Sequence, residues 1–204
     1  MRKHRILIAP SEEQQKILSA EGNLLVLGGP GSGKTTVAIL KAGIIVREHL
    51  RPAQKVIFLS FARPTVARII EALDQTGGIA KEDKRSIEID TYHAFFWRVI
   101  RSHGYLIGLP RAVSLLSPAE EAIALSGLRN EYPAESKLTD ELRQEKLSRE
   151  KEERVRLAFQ EGRICFDLFA DIAGQILHGS KKIQELISDA YPYVILDEFQ
   201  DTDA

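Results

Sequence analysis

Short apolar runs alternate with longer amphipathic patterns along this chain. Leu24-Leu25-Val26-Leu27 predicts a buried strand that ends in glycines, and residues 36–50 predict a helix after it. Val56-Ile57-Phe58-Leu59 predicts a second strand and 65–73 a second helix. Ile87-Glu88-Ile89 is a short third strand, followed by a helix over 93–102, and Tyr193-Val194-Ile195-Leu196 is the last strand. Strands alternating with helices mean βαβ units and a parallel sheet covered on both faces, an α/β fold.

The middle of the chain breaks this rhythm. Residues 117–159 carry no strand signal. Ser117-Pro118-Ala119-Glu120 is a helix start, with Ser117 as N-cap, Pro118 at the first helical position and Glu120 closing a capping box. Residues 140–156 are densely charged, with opposite charges four apart at Glu145/Arg149 and Glu150/Arg154. Because both signs are interspersed, a solvated helix held by side-chain pairs is expected here in preference to a nucleic-acid-facing one. Residues 108–163 therefore read as a helical insertion between a first part, 1–107, and a remainder, 164–204.

Composition narrows the class. The formal net charge of -1, from 28 Lys+Arg and 29 Asp+Glu, excludes a globally basic nucleic-acid binder but leaves room for a local patch. With 44% hydrophobic and 28% charged residues, the composition is globular. Cys165 is the sole cysteine, so no intrachain disulfide can form, and its apolar neighbours suggest an inert buried thiol. The basic start at Arg2, Lys3 and Arg5 precedes an apolar run too short for a signal peptide. No stretch approaches the roughly 18 apolar residues of a membrane helix. A cytoplasmic protein without membrane contact is expected.

Candidate chemistry begins at Gly28-Gly29-Pro30-Gly31-Ser32-Gly33-Lys34-Thr35, which fits G-x-x-x-x-G-K-[ST] between a strand and a helix. Glycines let the backbone curl so that N–H groups point at phosphate oxygens, and the helix start adds the positive end of its dipole. Lys34 would bridge the β- and γ-phosphates of a bound nucleotide, and Thr35 would put its hydroxyl on Mg²⁺. At the other end, the last strand delivers Asp197 and Glu198 to the edge where parallel sheets bind ligands. Asp197 can hold Mg²⁺ through water, and Glu198 can orient and deprotonate an attacking water.

The string Asp197-Glu198-Phe199-Gln200-Asp201-Thr202 resembles the second motif of superfamily 1 helicases of the UvrD/Rep type. Further motifs extend the resemblance. Ser11-Glu12-Glu13-Gln14 resembles the segment whose glutamine reads adenine, with Gln15 as a competing candidate. Ser60-Phe61-Ala62-Arg63-Pro64-Thr65 resembles a stretch that touches single-stranded DNA; Ser60 and Phe61 match, whereas Ala62, Arg63 and Pro64 depart, and Arg63 could serve a phosphate. Asp90-Thr91-Tyr92-His93-Ala94 resembles a second DNA-contact loop, in which hydroxyl, aromatic face and imidazole suit a phosphate and a stacked base. Phe95, Phe96 and Trp97 read as packing. Cys165-Phe166-Asp167-Leu168 matches a further family segment in part. Where the family often has an arginine packing on adenine, this chain has Thr36.

The resemblance implies a P-loop NTPase fold: a RecA-like parallel sheet with helices on both faces and a small helical insertion. It implies nucleotide binding by Gln14, Gly28, Gly29, Pro30, Gly31, Ser32, Gly33, Lys34, Thr35 and Thr36. Lys34, Glu198 and Gln200 would be catalytic, Thr35 and Asp197 metal-holding, and Ser60, Phe61, Arg63, Thr91, Tyr92 and His93 DNA-binding. The implied activity is an ATP-dependent 3′-to-5′ DNA helicase or translocase on single-stranded DNA. This chain would be a fragment lacking the second RecA-like domain, weakly active as an ATPase and unable to unwind alone. A nucleotide-dependent switch or assembly ATPase, or a subunit of a helicase–nuclease complex, are the alternatives.

Overall fold

The computed structural model describes residues 10–29 and 31–197. In chain order, the helices and strands are α1 (Glu12–Ser19), α2 (Lys34–Glu48), β1 (Val56–Ser60), α3 (Arg63–Gln75), α4 (Lys81–Lys84), β2 (Ile87–Thr91) and α5 (Tyr92–His103). They continue with β3 (Ser114–Leu115), α6 (Pro118–Ala124), α7 (Ser126–Arg129), α8 (Asp140–Glu161), β4 (Arg163–Ile164), α9 (Phe169–Gly179), α10 (Lys181–Ala190) and β5 (Tyr193–Leu196). The chain forms two compact units, one of residues up to Tyr92 together with those from Gln184 onward, the other His93–Ile183. The expected insertion, 108–163, lies within the second.

The first unit is built on a parallel sheet of order β2-β1-β5. Every residue of the central strand β1, Val56-Ile57-Phe58-Leu59-Ser60, is buried, which is why it reads as an unbroken apolar run. Its core joins Ile39, Ala42 and Ile45 of α2 to Val56, Phe58, Ile69, Leu73, Ile79 and Ile87. At the base of the sheet, the Glu88 carboxylate accepts from Lys55 Nζ at 2.9 Å and from the Tyr191 hydroxyl at 3.1 Å. The expected α/β architecture is present: a parallel sheet with helices.

The strand expected at Leu24-Leu25-Val26-Leu27 is not formed. Residues 23–29 have no ladder partner among the described residues, and Leu24, Leu25 and Leu27 are 45%, 76% and 83% exposed. An apolar run becomes a strand only beside another strand, and the β5 flank of the sheet has no neighbour among the described residues beyond β1. Element limits moved for local reasons. Helix α2 starts at Lys34, directly after Gly33 in the left-handed region at φ 81, and α3 starts at Arg63 with Pro64 in its first turn.

The second unit is helical. The capping box at Ser117 forms as read: Ser117 Oγ accepts the Glu120 N–H, and Glu120 accepts the Ser117 N–H at 2.9 Å. Trp97 stacks on Phe169 with centroids 5.3 Å apart, consistent with a packing role. Cys165 is fully buried, and burial pushes its thiol above the ordinary range, which disfavours the reactive thiolate. Helix α8 carries the expected side-chain pairs with one change. Arg149 pairs with Glu131 at 2.8 Å, while Glu145 accepts from the Tyr132 hydroxyl, so those two do not pair with each other. The Glu150/Arg154 pair forms, with Glu150 buried and Arg154 half-buried. Glu150 takes both Arg129 Nε at 2.9 Å and Arg129 Nη2 at 3.0 Å, and Arg154 bridges from Glu150 to Glu121 at 2.6 Å. This clamp ties α6, α7 and α8 together. Among the described residues no helix is long and apolar enough to cross a membrane.

Candidate functional site

The phosphate loop owes its shape to backbone conformations that side chains resist. Gly31 and Gly33 sit at φ 77 and 81. A Cβ on Gly28 would lie 2.7 Å from Ser32 Oγ, and one on Gly33 would lie 2.9 Å from Gln14 Nε2. Helix α2 begins on Gly33 without a side-chain cap and without an acidic residue in its first turn. The N–H groups of Lys34, Thr35 and Thr36 therefore remain available to an anion, where the helix dipole favours one. Lys34 Nζ folds back onto the loop and donates to Gly28 O at 2.7 Å and Gly29 O at 3.1 Å. An ammonium held on two neutral carbonyls is poised to exchange them for phosphate oxygens. Pro30 lies outside the described residues.

Helix α1 brings the glutamine to this loop. Ser11 caps α1 and forms a capping box with Gln14, whose Oε1 accepts the Ser11 N–H at 3.1 Å. The other end of the same carboxamide donates to Ser32 O at 3.4 Å. Gln15, one helical step on, turns its amide to Pro10 O instead. Helical phase thus puts Gln14, not Gln15, against the loop. Lys41 of α2 fastens the end of α1 by donating to Leu18 O and Ala20 O at 2.8 and 2.5 Å. Gln14, Ser32 and Lys34 line one cleft of about 180 Å³, with Ile17, Val26 and Val37 as its apolar wall. Apolar walls with a few convergent polar groups are what a nucleotide base and phosphate need.

A second cluster forms at the C-terminal edge of the sheet. Ser60 pairs in register with Thr91, and the Asp197 N–H donates to Leu59 O at 2.9 Å. Ser60 is thus flanked by Thr91 on one side and Asp197 on the other. Ser60 and Thr91 are buried, whereas Phe61 is 50% exposed and Arg63 is exposed at the first position of α3. The Ser60 and Tyr92 hydroxyls are buried with no hydrogen-bond partner among the described residues. Burial first, and the Asp197 carboxylate second, hold the Tyr92 phenol above its ordinary range, so it stays protonated as a donor. In the second unit, His93 packs edge-on against Phe166 at 5.9 Å and beside Phe169 at 6.2 Å. Glu198 and Gln200 lie outside the described residues. Among the described residues no cluster of three or more His, Cys, Asp or Glu could hold a metal by itself. The Thr35 hydroxyl and the Asp197 carboxylate are oxygen donors of the type Mg²⁺ takes, one or two from protein with phosphate and water completing the shell.

The sequence names Ser60 and Tyr92 as site residues but not the burial of their unpartnered hydroxyls, which depends on strand register and packing.

The chain is 24% identical over 226 residues to the putative ATP-dependent DNA helicase YjcD of Bacillus subtilis strain 168, covering 94% of this chain and 28% of that protein. It is 26% identical to the ATP-dependent DNA helicase UvrD1 of Mycobacterium leprae, covering 97% of this chain and 29% of the relative. It is also 29% identical to an ATP-dependent helicase/nuclease subunit of Exiguobacterium sibiricum, over 54% of this chain and 11% of that protein. The chain thus spans under a third of the length of these relatives. Residues 10–164 match the UvrD/REP helicase N-terminal domain, and the chain belongs to that family.

Proposed function

We propose that this chain is the ATP-binding and ATP-hydrolysing first RecA-like domain of a 3′-to-5′ DNA helicase or translocase that acts on single-stranded DNA. One observation carries the reading: an uncapped helix start, the Lys34 ammonium and the Gln14 carboxamide share a single cleft. Lys34 and the first-turn N–H groups of α2 would hold the phosphates, and Gln14 would exchange its bonds to Ser11 and Ser32 for the adenine edge. Thr35 and Asp197 would hold Mg²⁺, which when bound offsets phosphate charge. Glu198, with Gln200 nearby in sequence, would orient and deprotonate the attacking water.

At the sheet edge, exposed Phe61 offers a base a stacking face and Arg63 offers a phosphate a charge. Ser60 lies between Thr91 and Asp197 at this edge, so a strand bound here would lie next to the carboxylate read as metal-holding. Tyr92 and His93 complete the DNA-contact set in this reading. The chain's span of under a third of its relatives supports a larger protein with a second RecA-like half, within which 1–107 and 164–204 form the first RecA-like domain and 108–163 its insertion. The similarity to a helicase/nuclease protein favours one further reading, membership of a helicase–nuclease complex.

The test is ATP turnover by this chain with and without a single-stranded oligonucleotide. Slow turnover with little stimulation, and no strand separation, is expected, because charge-stabilising arginines supplied by another domain are worth about 10³–10⁵ in rate in comparable NTPases. Strong DNA-stimulated turnover by these 204 residues alone would overturn the reading as a part of a larger motor.

A further inference from the structure

The second unit holds an open cleft of about 420 Å³ lined by Ile100, Arg101, Tyr105, Pro110, Arg111 and Val113. Its floor is apolar, formed by the half-buried Pro110 and Val113. Its rim is not: Arg101 at the end of α5, Tyr105 in the turn after it and Arg111 in the loop before β3 are all exposed. Neither guanidinium has a hydrogen bond or ion pair among the described residues, and neither does the Tyr105 hydroxyl. Elsewhere in the same unit, Arg129, Arg143, Arg149, Arg154, Arg156 and Arg163 are each paired with a carboxylate. The sequence arranges this difference. No aspartate or glutamate occurs between Asp90 and Glu120, although Arg98, Arg101 and Arg111 do. In a chain of net charge -1, this is a local cationic patch.

Two uncompensated guanidiniums on one cleft attract an anion, and their planar forks match phosphate oxygens in pairs. A small inorganic anion would use the arginines and leave the aromatic rim and the apolar floor idle. An acidic peptide has no need of a stacking face. Phosphate forks beside an exposed ring above an apolar floor are the combination that single-stranded nucleic acid uses, with phosphates on the cations and a base on the ring.

We propose that Arg101, Arg111 and Tyr105 form an accessory single-strand site, in which the arginines hold two backbone phosphates and Tyr105 stacks one base. The site uses neither of the sheet-edge residues Phe61 and Arg63, and it rests on the reading of this chain as a DNA-binding domain.

The test is fluorescence anisotropy of a labelled oligo-dT against the full 204-residue chain across a salt series, with inorganic polyphosphate as a competing probe. Arg101→Ala and Arg111→Ala should each weaken binding several-fold and each reduce the steepness of log K against log salt by about 0.7, the single-strand value per phosphate. Arg101→Lys should keep that steepness. Tyr105→Ala should weaken binding about ten-fold, and Tyr105→Phe should not. All these side chains are exposed, so thermal unfolding midpoints should match the wild type, separating lost contact from lost fold. Unchanged affinity and salt dependence in both arginine variants, with binding lost in Phe61→Ala, would overturn the accessory site and leave the sheet-edge reading standing. Loss in the arginine variants alone would support the cleft and overturn the sheet edge instead. Arginine effects without a Tyr105→Ala effect, with polyphosphate competing as well as oligo-dT, would overturn the stacked base. No binding of oligo-dT by the wild-type chain at low salt would overturn both readings.

Discussion

Val56-Ile57-Phe58-Leu59 and Leu24-Leu25-Val26-Leu27 look alike on paper, and the fold treats them in opposite ways. The first is β1, paired on both sides and buried throughout; Phe58 is 1% exposed. The second has no ladder, and Leu25 is 76% exposed. Strand β5 stands between these extremes, paired with β1 alone among the described residues and leaving Val194 54% exposed. The difference teaches that hydrophobicity marks a segment for burial, while the neighbour that accepts its hydrogen bonds decides whether burial happens.

The comparison breaks most visibly at Phe58. Phe58→Ala opens a cavity in the centre of the first unit and should cost about 3–5 kcal/mol in denaturant unfolding. A loss near zero would mean that β1 is not the packed centre. The same rule, applied to a charge, predicts a middle-sized effect at Glu150, which is buried only because Arg129 and Arg154 receive it. Glu150→Gln should cost about 2 kcal/mol, below the ~3–5 kcal/mol of a fully buried pair because Arg129 is partly solvent-exposed. The Arg129 hydrogen bonds hold the Glu150 carboxyl below its ordinary range. A depressed carboxyl stabilises the fold fully above its unfolded value, about 4.3, and that stabilisation is lost as pH falls through the lower folded value. Glu150→Gln should therefore flatten the acid limb of the stability profile, and an unchanged limb would argue against the clamp. The smallest effect is expected at Leu25, where Leu25→Ser should shift stability of this chain by no more than about 0.5 kcal/mol. A loss above about 1.5 kcal/mol would show that the run is packed after all.

Much of the site was legible in the sequence because its determinants are local. The glycine spacing dictates a loop whose backbone faces inward, and Ser117 and Glu120 form their box from three residues' separation alone. The choice between Gln14 and Gln15 was not legible, since it depends on the helical phase that Ser11 sets and on where Ser32 lies. Nor was the burial of Glu150. Its spacing from Arg154 reads equally as a solvated pair, and only the docking of α6 and α7 removes it from water. The missing strand at 24–27 is the same kind of error, a non-local partner inferred from a local pattern.

In the proposed function, Gln14 and Lys34 belong to one nucleotide site. Calorimetric titration of this chain with Mg-ATP and with Mg-GTP tests it most directly, in the wild type and in Lys34→Ala. ATP binding should exceed GTP binding and disappear in Lys34→Ala while the thermal midpoint without nucleotide is unchanged. Undiminished Mg-ATP affinity in a folded Lys34→Ala variant would contradict this reading.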